Sequence, residues 1–209
     1  SGYSPRGVPD WTYHPLFKPL LFRLAPEPAR ALTLRLLALQ ASTAAGRRLF
    51  RAFCPRPPVV DHAVTVFGLR FPGPVGLGPG IDTRAEALSV LQHLGFGYLS
   101  LGPAGAEPRR RRFATDPLRF PAQQALVSTP LAASPAAREL DRRIARTPDL
   151  AVPVALALSG EGLDEALRAA KEAAYITLPS SVVEQGPTRL TELRTLTRKP
   201  LLLRLSPGD

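Results

Sequence analysis

The residues whose types and spacing could do chemistry gather in one run, FPGPVGLGPGIDT at 71–83. Gly76, Gly78 and Gly80 alternate there, with Asp82 and Thr83 directly behind them. Such glycines let a backbone approach something flat and bulky, or turn sharply, with no side chain in the way. They are not the GxGxxG fingerprint of a dinucleotide-binding turn. A second candidate is the four-arginine run Arg109 to Arg112. It suits nucleic-acid phosphates, anionic headgroups, an acidic neighbour, or simply a solvated loop. His14, His62 and His93 are scattered, Cys54 stands alone, and no Cys/His spacing suggests zinc.

The elements that must position these residues follow from an alternating pattern. A short apolar strand, Val75–Leu77, leads into the glycine turn, and a helix is expected over Arg84–Leu94. Strands are then predicted at Tyr98–Leu101, Val152–Leu158, Tyr175–Leu178 and Pro200–Leu205. Helices fall between them at Pro135–Ile144, Glu161–Ala173 and Thr188–Thr197. Alternation of this kind means parallel strands with crossover helices, an α/β fold. Five units are visible, whereas a closed (β/α)₈ barrel needs eight and roughly 250 residues. The expected architecture is a partial barrel of the TIM type over 58–209, and its open edge calls for a covering partner.

Residues 1–57 read differently. Trp11, Tyr13, Leu16, Phe17, Leu20, Leu21 and Phe22 mix with basic residues around Pro15 and Pro19, which predicts a short, broken helix. Pro26 opens a second helix, with Glu27 near the positive end of its dipole. Leu32, Leu36 and Leu39 form one stripe, widened by Leu34 and Leu37, and Arg30, Arg35, Arg47, Arg48 and Arg51 decorate this element and its end. An apolar face flanked by arginines can lie in a membrane interface, or pack on a domain as an ordinary amphipathic helix. Residues 55–61 read as a linker.

Composition sets the bounds. The 209 residues carry a net charge of +10, and 24 of the 27 basic residues are arginine. That balance suits an acidic partner surface: lipid, nucleic acid or protein. No run of eighteen apolar residues is present, so nothing in the sequence spans a bilayer as a helix. There is no methionine, even at position 1, which fits either a cleaved organellar presequence or a lost initiator.

Taken together, Gly68, Phe71, Pro74, Val75, Gly76, Leu77, Gly80, Asp82, Glu86 and the Leu94–Gly97 run resemble the opening of the quinone-dependent (class 2) dihydroorotate dehydrogenases. Phe22-Arg23-Leu24 followed by Pro26-Glu27 and Ala29 resembles the entry to that family's N-terminal two-helix extension, with Arg30 where the family has histidine. The resemblance covers nearly the whole chain, but only about the first two-thirds of a barrel enzyme of that family. It implies an FMN-dependent oxidoreductase whose N-terminal helices dock on a membrane and form a quinone tunnel.

Carried over position by position, the resemblance implies FMN contacts at Gly78, Gly80, Thr83, Gly102, Ser128 and Arg204. The catalytic serine base corresponds to Ser180 or Ser181 with a one-residue slip, or to Val182 by strict count. Several reactive positions differ. Thr83 and Arg204 stand for lysines. Pro103 stands for a hydroxyl residue, Ala157 for an asparagine, and Ser128–Ala133 for the loop that closes over orotate. Each lost polarising donor typically costs ~2–4 kcal/mol in a transition state, so four would remove most of a usual catalytic advantage.

The leading expectation is therefore a catalytically inactive relative: a structural or accessory subunit of a membrane-bound assembly, at the mitochondrial or a bacterial inner membrane. No bound cofactor is expected on that reading. Its partners would be subunits covering the open barrel edge, an anionic membrane surface, and a lipid or quinone in the helical tunnel. The alternatives are a divergent FMN-dependent dihydroorotate dehydrogenase (quinone) of pyrimidine biosynthesis, and a basic nucleic-acid-associated accessory protein.

Overall fold

The structure, a computed structural model, describes residues 18–53, 62–110, 117–123, 125–127 and 133–205. Helix α1 (Lys18–Phe22) is short, and α2 (Pro26–Ser42) starts on Pro26 and Pro28, whose missing N–H groups would have no intrahelical partner in the first turn anyway. Thr43 turns extended and ends α2, and α3 (Ala44–Phe53) begins at once, so the arginines at 47 and 48 belong to a separate helix. Leu34 and Leu37 turn inward onto the core. The stripe read from the sequence faces out instead: Leu32, Leu36 and Leu39 are 39, 57 and 69% exposed. Residues 11–17 and the linker at 55–61 lie outside the described residues.

Strands β1 (Val64–Val66) and β2 (Leu69–Phe71) form an antiparallel hairpin that the alternation did not predict. Phe67 and Gly68 both adopt positive φ, 54° and 76°, as a two-residue hairpin turn of the mirror-image type requires. The expected strand at Val75–Leu77 shrinks to a single bridge, Leu77 to Leu99. Pro72, Pro74 and Pro79 bring no N–H donors, so only a few main-chain bonds remain: Gly97 to Val75 at 2.8 Å, Leu77 to Tyr98 at 3.0 Å and Ser100 to Leu77 at 2.8 Å. The helix expected over 84–94 contracts to α4 (Leu88–Leu91). The Asp82 carboxylate accepts the N–H groups of Glu86 (2.9 Å) and Ala87 (2.8 Å), which holds 82–87 as a turn.

The chain continues through β3 (Leu99–Ala104), β4 (Arg109–Arg110), β5 (Leu118–Phe120), β6 (Ala125–Val127), β7 (Ala133–Ser134), α5 (Ala137–Arg146), β8 (Val154–Leu158), α6 (Leu163–Ala169), β9 (Tyr175–Pro179), α7 (Ser181–Glu184), α8 (Pro187–Leu196) and β10 (Leu201–Arg204). The small pairs β4–β7 and β5–β6 lie in a stretch read as loop. The expected helix over 161–173 is shorter, because Gly162 is left-handed at its start and Ala170 leaves the helix at its end.

β3, β8, β9 and β10 form one parallel sheet whose spatial order follows the chain, with Leu77 bridged beyond β3. A doubly wound sheet reverses direction from its middle. Strands laid side by side in sequence order, each crossing over through a helix, build the wall of a (β/α)₈ barrel, here an arc of one. β8 is buried along its whole length, as a parallel strand covered on both faces must be. Leu140, Leu163, Leu167 and Leu193 of the outer helices close the core against Leu156, Ile176 and Leu178. Asp141 of α5 accepts the N–H groups of Glu172 (2.8 Å) and Ala173 (3.3 Å), pinning the turn before β9.

Candidate active site at the strand ends

The two ends of the sheet differ in kind. Beneath the N-terminal ends sits an aromatic plug: the Phe71 ring from β2 lies 6.1 Å from Tyr98 and 5.8 Å from Tyr175. Burial, with Tyr98 beside it, pushes the Tyr175 phenol up to about 12. The C-terminal ends, where barrel enzymes carry their chemistry, form a rim in strand order: Gly78–Gly80, Ala104, Ser159–Gly160, Ser180–Ser181 and Arg204.

At Gly78 the space a side chain would occupy is empty for 4 Å, so a planar ring could approach the backbone there. Gly80 holds φ at 106°. Ser181 lies at the rim: a methyl built on Gly160 would come within 3.3 Å of its hydroxyl oxygen. Ser180 is half-buried and starts α7, its carbonyl accepting the Val183 N–H at 2.7 Å. Val182 is 0% exposed in the hydrophobic core, so the strict count puts the base where no substrate reaches. Arg204 ends β10 opposite Pro179 and is exposed.

Other sequence candidates have structural duties. Gly102 adopts φ 110° where β3 shifts register against β8, and an added side chain would meet the Ala157 carbonyl oxygen at 2.4 Å. A cis peptide follows it, to Pro103. Ala157, in the asparagine position, is 4% exposed within β8. Thr83 is buried, and Ser128 lies outside the described residues. Burial pushes the Asp82 carboxyl up, with the Ala87 and Glu86 N–H groups pulling the other way. Of the arginine run, Arg109 pairs with Glu161, Arg110 belongs to β4, and Arg111 and Arg112 lie outside the described residues.

Two positions, Ser159 and Arg119, escaped the sequence reading, and a third, Arg30, was noted there without its contacts. The Ser159 hydroxyl and N–H both donate to the Ala104 carbonyl, at 3.1 and 2.8 Å, tying the ends of β3 and β8 together. Arg30 pairs with Glu27 and donates to the Ile81 carbonyl, so it joins α2 to the glycine turn. The hydrogen bond from Arg30 holds the Glu27 carboxyl below its ordinary range. Arg119 of β5 stacks 4.3 Å over the Phe22 ring and donates to the Leu24 carbonyl at 3.3 Å. None follows a periodic pattern; each is a contact between distant parts of the chain.

Arc and rim define part of a (β/α)₈-type barrel, with the rim at the strand ends where barrels of this type carry their sites. Comparison with known proteins gives the kinship. No protein-family model matches the chain. The dihydroorotate dehydrogenase (quinone) of Mycobacterium tuberculosis is 39% identical over 134 residues, 64% of this chain and 37% of that protein. The enzyme of the same name from Acidithiobacillus ferrooxidans is 36% identical over 165 residues, 75% of this chain and 43% of its own. Among solved structures, Eimeria tenella DHODH in complex with ferulenol superposes with a TM-score of 0.59 at 17% identity, covering 88% of this chain and 60% of that one. Its ligand-free form gives 0.57. In sequence and fold the chain is therefore a relative of the quinone-dependent dihydroorotate dehydrogenases, and it spans about two-fifths of the length of the curated relatives it matches.

These relatives overturn the expectation of an inactive structural subunit. They are named for an oxidoreductase, and nothing in either comparison points to a complex in which this chain would serve. The physical reason lies at the rim. The substitutions at Pro103, Ala157 and Val182 change which donors are available, yet a hydroxyl at Ser181, a cation at Arg204 and the open glycine turn persist.

Proposed function

We propose that the chain provides the N-terminal helices and the first part of the barrel of a divergent FMN-dependent dihydroorotate dehydrogenase (quinone) of pyrimidine biosynthesis. The observation that carries this reading is the identity of 36–39% to enzymes of that name, joined to a strand-end rim that keeps Ser181 and Arg204. The rim fits the ring of a flavin: a backbone face free of side chains at Gly78, a cation at Arg204 and a hydroxyl at Ser181. FMN, when bound, supplies the hydride acceptor.

The chain's own part is acid–base and positional. The Ser181 hydroxyl takes the proton from C5 of dihydroorotate and releases its own to solvent beside exposed Gly160. Arg204 would supply positive charge to the bound flavin, and the Ser159 bonds tie the ends of β3 and β8 together. Strands completing the barrel, from the same polypeptide or a partner subunit, pair with the open edge of β10 and bring the phosphate-binding loops. The exposed leucines of α1 and α2 seat the protein peripherally on an energy-converting membrane, the mitochondrial inner membrane or its bacterial counterpart, where the quinone is met. Among the described residues no helix is long and apolar enough to cross a membrane.

The test is turnover. The enzyme purified with the strands that close its barrel, assayed with dihydroorotate and a soluble quinone, should reduce the quinone in proportion to added dihydroorotate. Protein that carries FMN yet leaves dihydroorotate untouched would refute the substrate assignment.

A further inference from the structure

We propose that a cleft between α2 and α5 binds a phosphate-bearing anion, the headgroup phosphate of an anionic phospholipid. The cleft has a volume of about 530 Å³. Arg35 lines it from α2, Glu86 from the turn before α4, and Arg143, Arg146 and Thr147 from the last turn of α5. Three arginines and one glutamate thus line it. Arg143 is partly engaged by Glu139 at 3.1 Å, and Arg84 draws on Glu86 at 3.9 Å. Arg35 and Arg146 make no ion pair or side-chain hydrogen bond with any described residue.

Arginines in a last helical turn offset the negative end of the helix dipole, an effect of about 0.3–1 kcal/mol. That accounts for Arg143 and Arg146 together on α5. It does not account for Arg35, which reaches the same cleft from another helix. Arg35 and Arg146, lining one cleft from two elements with no partner among the described residues, offer forked N–H donors of the kind that phosphate oxygens accept.

The neighbouring surface selects the source of the phosphate. Arg35 stands three residues after Leu32 and four before Leu39, so it borders the exposed row of Leu32, Leu36 and Leu39. An apolar row beside a basic cleft meets acyl chains with one part and the headgroup with the other. Attachment through apolar helices alone would be indifferent to headgroup charge; this site makes it selective. The inference stands whether or not the protein oxidises dihydroorotate.

The experiment is co-sedimentation with phosphatidylcholine vesicles, with and without phosphatidylglycerol. Three proteins are compared: the parent, R35Q/R146Q, and R168Q/R198Q as a control of equal charge on exposed arginines elsewhere. Phosphatidylglycerol should tighten binding of the parent, and R35Q/R146Q should lose roughly thirtyfold of that affinity, about tenfold more than the control loses. Binding of neutral vesicles should be the same for all three. Equal losses in the two variants, or none in R35Q/R146Q, would overturn the site. Calorimetric titration with inorganic phosphate separates the sources. Binding of free phosphate that R35Q/R146Q abolishes, with no effect of phosphatidylglycerol, would keep the anion site and overturn the lipid assignment.

Discussion

Ser181 and Val182 are neighbours in the chain with opposite surroundings. One sits at the rim beside Gly160, the other wholly inside the core. Ser181→Ala should leave the unfolding midpoint unchanged and lower dihydroorotate turnover by about 10²–10⁴-fold. Val182→Ala should do the reverse, costing roughly 2 kcal/mol of stability in a denaturant titration. Asp82 gives a prediction in pH. Burial raises its pKa, so the native state holds that proton more tightly than the unfolded chain does. The resulting stabilisation is present below the unfolded value and is lost as pH rises through the native one. Asp82→Asn keeps only one oxygen for two N–H groups and should destabilise at every pH. The gap to the parent should be largest below the unfolded value, about 4, and shrink as pH rises through the native one, measured by chemical denaturation; a gap that widens with rising pH would contradict the burial argument. Little of this was legible residue by residue. The glycine frame was visible, but a slip of one position at the start of a short helix exchanges core for rim, and no spacing rule fixes it.

The strands that could be read ahead are those that are apolar and continuous. Val154–Leu158 and Tyr175–Pro179 came within two residues of their predicted bounds, because a strand buried on both faces announces itself as an unbroken apolar run. Elements built from glycine and proline could not be read this way. Val75–Leu77 has the composition of a strand, yet the prolines on either side of it, Pro74 and Pro79, keep the pairing from extending past one bridge. The β1–β2 hairpin had a signal, a glycine between two alternating trios, that the search for barrel strands passed over. The helix after the glycine turn was overestimated because the Asp82 bonds, invisible to periodicity, claim its first turn. Where segment 73–77 crosses 97–100 the two backbones nearly touch: a methyl on Gly97 would fall 1.8 Å from the Gly73 carbonyl oxygen. Gly97→Ala must therefore separate them, and should cost at least the roughly 1–3 kcal/mol usual for overpacking, seen as a lowered thermal midpoint. An unchanged midpoint would mean that the crossing is loose.

At the scale of the molecule, an arc of four parallel strands with one bridged segment leaves β10 at an edge, with Leu202 and Leu203 exposed. A barrel has no such edge, and the curated relatives are more than twice the length of the matched region. The sequence showed the arc, since five strand–helix units recur in order. It misled on function, because the replaced donors were counted as lost chemistry and outweighed Ser181 and Arg204, which the same reading had named. The account stands on that rim acting on a flavin and on dihydroorotate together. The most direct test is anaerobic mixing of the purified enzyme, this chain together with the strands that close its barrel, with dihydroorotate, without quinone, followed at the flavin absorption band. The account predicts a bound flavin whose band bleaches on addition of dihydroorotate and returns when quinone is supplied. A protein with no flavin, or with a flavin that dihydroorotate leaves oxidised, would contradict it.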